Sequence, residues 1–344
     1  METNGSPRAA AASPDAVLNL TTGVWTAQSL WAAACLGVAD LLASGPKTRD
    51  ELAASTGTLA GPLYRVLRML AALGVFAEQP DGRFANTPAS EFLRYDVPGS
   101  VRDYVIFVGQ PWHIATYGEI LHALRTGRPQ AERVVGKPLW DFFAGDPEQS
   151  RLFNAAMTGI VADTACAVRD AYDFGGMRTL VDVGGGHGML LGTVLAANPG
   201  LEGVLFDQPH VVAGAPPTFA RLGVEGRARI VGGDFFAEVP RADAYILSHI
   251  IHDWDDERAA AILRTIARAA ERRARLLVVE TVIPPGNEFS FGKLLDIEML
   301  MLPGGVERTE AEYRRLFEAG GFRLTSVVPT RSVGHVIEGT ARAG

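Results

Sequence analysis

A short apolar run that leads directly into a glycine-rich segment is the feature that most constrains the fold of this chain. Leu180–Val183 is aliphatic apart from one acid, and the segment GGGHG follows it at 184–188. A strand that ends in glycines and then opens a helix lets backbone N–H groups and the helix N-terminus approach a ligand closely. The sequence therefore predicts a ligand-binding loop between a strand and a helix at this point.

The spacing of the glycines narrows the class of ligand. The dinucleotide fingerprint expects glycines at the first, third and sixth positions of the loop. Gly184 and Gly186 match the first two positions, but Met189 stands at the sixth. Gly188 gives the spacing G-x-G-x-G instead, which is associated with a ligand that lacks the pyrophosphate.

Strand-like runs alternate with helical or loop segments from Thr179 onward. This alternation predicts a parallel sheet covered by helices on both faces. The predicted strands are Leu180–Val183, Val204–Phe206, Arg229–Val231, Ala244–Leu247 and Leu276–Glu280, and a closing hairpin is predicted from Phe322–Thr330 and His335–Glu338.

Acidic and aromatic residues follow the second and third of these strands. Asp207 comes directly after the second strand and is placed to accept hydrogen bonds from ribose hydroxyls. Asp234 and Phe235 follow the third strand and offer a carboxylate for an adenine amino group and a ring for the adenine face. Because open α/β sheets bind ligands at the carboxyl ends of their strands, these residues and the glycine loop predict a nucleoside site.

The first half of the chain has helical periodicity almost throughout. The run Gly23–Ala43 is apolar on most sides, which predicts a helix buried in its own fold or against another subunit. Thr48–Ser55, with a capping Thr48 and Glu51, and Leu59–Leu73 are the next predicted helices. A hairpin over 75–85 follows them. Helices followed by a hairpin are typical of a winged helix.

Composition and charge limit the partners. The length of 344 residues favours two domains, and the net charge of -7 disfavours nucleic acid or an anionic membrane. The second helix of the winged-helix pattern offers only Arg65 and Arg68 as cations, so this half is interpreted as a dimerisation and pocket-wall module.

Leu30–Ala39 is too short to span a membrane, and we expect a cytoplasmic protein. Both cysteines are expected to be buried free thiols.

Six ordered motifs resemble those of the small-molecule O-methyltransferases of the caffeate, hydroxyneurosporene and anthracycline type. They are VDVGGGHG (181–188), FDQPHV (206–211), GGDFF (232–236), IIHDWDDE (250–257), LLVVE (276–280) and GGVERTEAEYRRLFEAGGF (304–322). The resemblance implies an α/β protein: a Rossmann-like, doubly wound methyltransferase domain that binds S-adenosyl-L-methionine, with an N-terminal, mainly α-helical winged-helix domain that forms a homodimer. The expected division is a flexible tail at 1–14, the helical domain at 15–165 and the catalytic domain at 166–344.

The same resemblance implies site residues. His252 is the expected general base, and Glu280 and Glu307 are expected to flank it and orient its ring. A neutral imidazole suits this role because a phenol, with a pKa of about 10, is a poor nucleophile until its proton leaves. The expected cofactor-binding residues are Gly184, Gly186, Asp207, Asp234, Phe235, Ser248 and Arg151. The expected pocket residues are Asn154, Met157, Met299 and Trp112.

Neighbouring polar residues are given ordinary roles. His249 and His187 are interpreted as structural, and Asp253, Asp255 and Asp256 as caps of a helix that begins near Trp254. Plant members of the family have lysine at the position of Ser248, whereas bacterial members often have serine. No metal-ligand cluster is visible in the sequence, which favours a base-driven route.

The sequence thus predicts an enzyme that methylates a hydroxyl of a small aromatic molecule in secondary metabolism or antibiotic biosynthesis. An N-methyl acceptor stays open, as does a same-fold enzyme that uses the cofactor for decarboxylation, hydroxylation or pericyclic chemistry. A winged-helix regulator that senses S-adenosylmethionine is the alternative from another class.

Overall fold

The computed structural model describes residues 13–95 and 97–342. Twelve of the fourteen residues of the expected N-terminal tail lie outside this range, and Ser13 caps the first helix. The chain separates into two compact units. Unit one contains the described residues up to Ile114 together with Arg151–Ile160, and unit two contains Ala115–Ser150 and the residues from Val161 onward.

Unit one is mainly helical. Its helices are α1 (Pro14–Thr21), α2 (Gly23–Cys35), α3 (Val38–Leu42), α4 (Arg49–Thr56), α5 (Ala60–Ala72), α6 (Pro88–Glu91), α7 (Arg102–Val108) and the start of α8 (Pro111–Tyr117). Its strands β1 (Lys47–Thr48), β2 (Phe76–Glu78) and β3 (Arg83–Asn86) form a small antiparallel sheet in the order β1-β3-β2.

The predicted succession of helices and a hairpin is confirmed in this unit. Thr48 and Glu51 form a reciprocal capping box at the start of α4, and Gly74, with φ 79°, follows the end of α5. Strands β2 and β3 pair antiparallel, with Phe76 opposite Asn86. Apolar side chains from α4, α5 and this hairpin form the core, among them Leu52, Leu63, Leu67, Leu70, Phe76 and Phe84.

The expectation of one continuous helix over Gly23–Ala43 is wrong. Helix α2 ends at Cys35, and Gly37, in the left-handed region at φ 64°, turns the chain into the separate helix α3. Ala33, Ala34, Val38, Ala39 and Leu42 in the second half of the run are buried, whereas Trp25 in the first half is 67% exposed. Burial of both cysteines is also wrong, because Cys35 is exposed at the end of α2 and Cys166 is only partly buried.

Unit two contains the remaining helices and a seven-stranded sheet of the described residues. The helices are the end of α8, α9 (Ile120–Thr126), α10 (Ala131–Val135), α11 (Leu139–Ala144), most of α12 (Pro147–Ala171), α13 (Met189–Ala197), α14 (Pro209–Val212), α15 (Pro216–Leu222), α16 (Asp256–Ala269), α17 (Phe291–Met301) and α18 (Glu310–Ala319). The strands are β4 (Thr179–Val183), β5 (Glu202–Asp207), β6 (Ala228–Gly232), β7 (Ala242–Ser248), β8 (Ala270–Glu280), β9 (Phe322–Pro329) and β10 (His335–Ala341).

The order of the strands confirms the predicted parallel sheet and closing hairpin. It runs β6-β5-β4-β7-β8-β10-β9, with β4 to β8 parallel and β10 antiparallel to both of its neighbours. Apolar clusters cover both faces, so the central strands are buried on both sides, as their continuous aliphatic runs predict. The carboxyl ends of β4 to β8 therefore lie along one edge. Among the described residues, no helix is long and apolar enough to cross a membrane.

Replacing Gly37 by alanine tests the turn that divides the apolar run. An added Cβ has room, since its nearest neighbour would be an Asp40 carboxylate oxygen at 3.8 Å, so the cost comes from the left-handed backbone. We expect Gly37→Ala to reduce the free energy of unfolding by about 1 kcal/mol and to lower the Tm in calorimetry. The control is Gly61→Ala in α5, where the backbone is helical and the space is open. It should not lower the Tm, and an equal loss in both variants would contradict the argument.

Candidate active site

The glycine loop joins β4 to α13. Gly184, Gly186 and Gly188 all have positive φ values, and the amide of Gly184 donates to the carbonyl of Phe206 at 2.8 Å. A Cβ on Gly184 would lie 2.5 Å from the Ile250 side chain, so packing alone requires glycine there. A Cβ on Gly186 would meet no protein atom within 4 Å. The backbone at Gly186 therefore faces open space that a ligand can enter.

The acid after β5 lies against this loop. One carboxylate oxygen of Asp207 accepts from the amide of Gly186 at 2.9 Å, and the other accepts from the amide of Gln208 at 2.6 Å. Burial raises the pKa of Asp207. The amide of Gly233 donates to the Asp207 carbonyl at 2.9 Å, which ties the loop after β6 to the end of β5. The structure thus brings Gly184, Gly186 and Asp207 together.

The residues after β6 differ in exposure. Asp234 is exposed, and its carboxylate accepts from the amide of Phe236 at 2.8 Å. The ring of Phe235 is partly buried, with its centroid 6.3 Å from that of Trp254. A carboxylate able to accept hydrogen bonds from hydroxyls, an open glycine and an aromatic face on neighbouring strand ends fit an adenosine-type ligand.

Asp182 is a buried acid that the sequence reasoning missed. It lies inside β4, and a Cβ on Gly185 would come within 2.5 Å of its carboxyl carbon, so this carboxyl packs directly against the glycine loop. Burial, with a further contribution from the charge of Asp207, raises the pKa of Asp182 to about 7. A single acid within an aliphatic strand before a glycine loop was the available signal.

His252 lies on a short 3-10 turn (Ile251–Asp253) between β7 and α16. Its side chain is buried, and its Nδ1 is 2.5 Å from Glu307 Oε1. The other carboxylate oxygen of Glu307 accepts a short hydrogen bond from the Thr281 hydroxyl. The backbone amide of Glu307 donates to the Asp296 carboxylate at 2.8 Å. Glu307 is thus fixed at both ends and orients the imidazole.

Glu280, at the end of β8, accepts hydrogen bonds from the backbone of the turn and not from the ring. Its Oε1 accepts from the amides of Ile251 at 2.7 Å and His252 at 3.0 Å. Its Oε2 accepts from the Tyr313 hydroxyl at 2.6 Å. The expectation that both acids orient the imidazole therefore needs correction, because only Glu307 reaches it.

Arg308 holds the same turn from the other side, and sequence reasoning missed it. Its guanidinium is almost fully buried and donates to the carbonyls of Ile251 at 3.2 Å and Trp254 at 2.9 Å. It also donates to the Asp256 carboxylate at 2.9 Å. The amide of Val306 donates to the His252 carbonyl at 2.9 Å. The 306–308 segment therefore fixes the backbone of the turn as well as the imidazole.

The charges around His252 control its protonation. Burial opposes the charged imidazolium, but the hydrogen bond to Glu307 and the charges of Glu307, Asp253 and Glu280 outweigh burial and raise the pKa of His252 to about 10. Burial raises the pKa of the Asp253 carboxyl to about 7. For Glu307, burial is outweighed by its hydrogen bond from His252, and its pKa is lowered. The imidazole is therefore a stronger base than an ordinary histidine.

The expectation that three aspartates cap α16 is wrong. Only Asp255 caps α16, accepting from the amide of Arg258 at 2.8 Å, whereas an oxygen of Asp253 lies 3.7 Å from His252 Nε2 and Asp256 pairs with Arg308. His249, which was interpreted as structural, has its ring centroid 5.5 Å from that of His252. No sequence pattern indicated its position.

The remaining predicted residues are divided between the units. In unit one, Arg151 is exposed and Asn154 and Met157 are partly buried on α12, while Trp112 belongs to an aromatic group with Phe107. In unit two, the Met299 side chain is buried, and its carbonyl accepts from the amides of Gly304 and Gly305. Ser248 ends β7, with its hydroxyl 3.1 Å from His249 Nδ1. Within the described ranges, no group of three or more acidic, histidine or cysteine residues is arranged to hold a metal ion.

Replacing Arg308 by methionine tests whether this side chain fixes the turn that carries His252. The change keeps most of the apolar stem but leaves buried carbonyls without their donor. We expect Arg308→Met to lower the free energy of unfolding by about 3 kcal/mol in denaturant titrations. Arg315→Met on α18, where the side chain is 71% exposed, is the control and should change it by less than about 0.5 kcal/mol. Equal effects would contradict this role of Arg308.

Comparisons with known proteins show which family of proteins the chain resembles. The O-methyltransferase domain model matches residues 117–323, and the O-methyltransferase dimerisation domain model matches residues 18–95. The chain is 46% identical to phenazine O-methyltransferase PhzM of Lysobacter antibioticus, over 94% of each chain. It is 36% identical to 8-amino-8-demethylriboflavin N,N-dimethyltransferase of Streptomyces davaonensis, over 92% of each.

A solved structure extends the likeness beyond bacteria. Human N-acetylserotonin methyltransferase in complex with S-adenosylmethionine superposes with a TM-score of 0.88 at 27% identity. The match covers 97% of this chain and 99% of that one.

Proposed function

The chain belongs to the O-methyltransferase family, and we propose that it methylates a hydroxyl of a small aromatic molecule, with His252 as general base. Family membership makes it a methyltransferase with S-adenosylmethionine as cofactor. The observation that carries the hydroxyl proposal is the buried contact of 2.5 Å between His252 Nδ1 and Glu307. That contact fixes the imidazole and raises its basicity, as removal of a phenolic proton requires.

The proposed cofactor site is the edge of the sheet at the glycine loop. Gly186 offers open space and backbone polarity, and Asp207 offers a carboxylate for ribose hydroxyls. Asp234 and Phe235 are the proposed adenine contacts, and Gly184, Ser248 and Arg151 complete the set implied by family resemblance. When bound, S-adenosylmethionine supplies a methyl group made electrophilic by the sulfonium. The residues of the chain then have to hold the acceptor oxygen in line and remove its proton.

The geometry of His252 suits proton transfer. Nδ1 is occupied by Glu307, whereas Nε2 makes no hydrogen bond to the described residues and is the atom left to accept a proton. In the proposed reaction, the acceptor O–H proton passes to Nε2, the oxygen takes the methyl group and S-adenosylhomocysteine leaves. Burial opposes the imidazolium, but the hydrogen bond to Glu307 outweighs burial and raises the pKa of His252 toward that of a phenol, which makes the transfer less unfavourable.

The relatives define the rival acceptor. Phenazine O-methyltransferase acts at oxygen according to its name, whereas the riboflavin-type relative acts at nitrogen. A neutral amine needs no deprotonation before it attacks the methyl group, whereas a hydroxyl does. The presence of a buried base, His252 held by Glu307, therefore favours a hydroxyl acceptor. Transfer of labelled methyl to product also separates methylation from non-methylating use of the cofactor.

We also propose the arrangement of the full enzyme. The helical domain at 15–165 is proposed to form a homodimer, supported by the dimerisation-domain match over 18–95, and the catalytic domain is proposed at 166–344. The proposed acceptor is an aromatic secondary metabolite of an antibiotic pathway, supported by the phenazine relative. The proposed pocket contacts are Asn154, Met157, Met299 and Trp112.

Replacing His252 by asparagine tests the base. The asparagine amide can still donate to Glu307, so the buried carboxylate keeps a partner while the proton acceptor is lost. We expect His252→Asn to lower kcat by about 10²- to 10⁴-fold, with little change in the Kd of S-adenosylhomocysteine measured by calorimetry. His122→Ala in α9 is the control and should leave both unchanged. Full activity of His252→Asn would rule out the base assignment.

The pH dependence tests the role of Glu307. The neutral imidazole is the active form, and its fraction grows tenfold per pH unit below the pKa. Because the pKa of His252 is raised, kcat/KM of the wild type should still be rising above pH 7. Glu307→Gln removes a charge that favours the imidazolium, so the acid limb, the part of the kcat/KM profile that rises with pH, should move to lower pH. The charges of Asp253 and Glu280 remain and should keep the pKa of His252 partly raised.

Glu310→Gln is the matched control for this profile. Glu310 is an exposed acid on α18 that pairs with Arg314 at 2.8 Å, far less shielded from solvent than Glu307. Its replacement should leave the limb where it is in the wild type. An acid limb that does not move in Glu307→Gln would show that this carboxylate does not set the basicity of the catalytic group.

A further inference from the structure

His249 has a backbone conformation that is unfavourable for its residue type. Its φ is 55°, and Arg273, at φ 64°, is the one other non-glycine residue in the described ranges with a positive φ. A non-glycine residue in this region costs about 1 to 2 kcal/mol, and such residues are concentrated at binding and catalytic sites. With this backbone conformation, the His249 side chain extends from the end of β7 to a position beside His252.

The surroundings of His249 leave one ring nitrogen available. Its amide donates to the Val279 carbonyl at 3.3 Å, and its Nδ1 lies 3.1 Å from the Ser248 hydroxyl. In the described part of the chain, the hydrogen bond of the His249 ring is made by Nδ1 and none is made by Nε2. Burial, followed by the charge of His252, lowers the pKa of His249 to about 4. At neutral pH this ring is therefore uncharged and can act only as a hydrogen-bonding group.

His249 and His252 make a matched pair of imidazoles. In each ring Nδ1 is engaged, by Ser248 in one case and by Glu307 in the other, and Nε2 makes no hydrogen bond to the described residues. The ring centroids are 5.5 Å apart and the planes are inclined by 55°. Two rings at this separation can each reach an oxygen at about 2.8 Å when the two oxygens sit on neighbouring carbons of one aromatic ring.

We propose that His249 is an acceptor-binding residue that recognises an oxygen ortho to the hydroxyl that is methylated. The substrate class is then an ortho-diol or an ortho-hydroxycarbonyl aromatic compound. This inference rests on the proposed function, because it takes His252 as the group that receives the proton. His249 itself exchanges no proton or bond in the reaction. It supplies one hydrogen bond that aligns the reacting hydroxyl with His252.

Isomeric probes test this assignment directly. The dissociation constants of 2,3-dihydroxynaphthalene and 2,7-dihydroxynaphthalene are measured by calorimetry on the purified enzyme saturated with S-adenosylhomocysteine. The wild type should bind the ortho isomer about tenfold more tightly, since one additional hydrogen bond separates the two complexes. In His249→Gly, which keeps the left-handed backbone and removes the ring, the ratio should fall to about one. The affinity for the 2,7 isomer should not change.

Two further variants separate recognition from relief of strain. His249→Asn tolerates the left-handed conformation and keeps a polar side chain, so it should retain part of the preference. Arg273→Gly relieves the same kind of strain at the start of β8 and should leave the preference intact. Equal affinities in the wild type, no binding of the ortho isomer, or a preference that survives in His249→Gly would each overturn the proposal.

Methyl transfer is measured separately with labelled S-adenosylmethionine and the same two isomers. Preferential binding of the ortho isomer that depends on His249, without transfer of label to oxygen, would refute the proposed function and leave the assignment of His249 standing. Transfer to both isomers at equal kcat/KM, unchanged in His249→Gly, would refute the assignment of His249 and leave the methylation of hydroxyls standing.

Discussion

The contact between His252 and Glu307 is the interaction on which the rest of the site depends. A buried carboxylate without a partner is strongly destabilising, and a buried imidazolium is equally costly, so each group requires the other. Their separation of 2.5 Å is achieved because Thr281 and Asp296 hold Glu307 while Glu280 holds the backbone of the turn that carries His252. The position of the His252 ring therefore depends on several segments of the chain that are distant in sequence.

Arg308 holds the turn that carries His252 against the start of α16. Its guanidinium bridges carbonyls of the 3-10 turn and the first acid of α16, while the neighbouring Glu307 contacts the ring. One segment of two residues thus fixes both the backbone and the side chain of the proposed base. A planar donor with several N–H groups suits this task, because the buried Arg308 side chain must satisfy several carbonyls at once.

The sequence predicted the sheet because its strands depend on local patterns. Continuous aliphatic runs identified the parallel strands and placed Asp207 at their carboxyl edge, whereas His252 and Glu280 were implied by the resemblance to the O-methyltransferases. Contacts between distant segments were not predictable in this way. That Glu280 binds backbone amides, that Arg308 is buried and that His249 adopts a left-handed φ all depend on tertiary packing. The division of the apolar run at Gly37 was visible as a glycine, but apolarity alone did not reveal it.

The edge of the sheet carries more buried acid than stability alone would favour. Burial raises the pKa values of Asp182, Asp207, Asp253 and Glu280, so each carboxylate is less well solvated here than in the unfolded chain. Residues that destabilise the fold in this way are retained where function requires them. The acids lie at or beside the ends of β4, β5, β7 and β8, whereas the apolar clusters fill the faces of the sheet. The faces of the sheet therefore supply the stability that its carboxyl edge gives up.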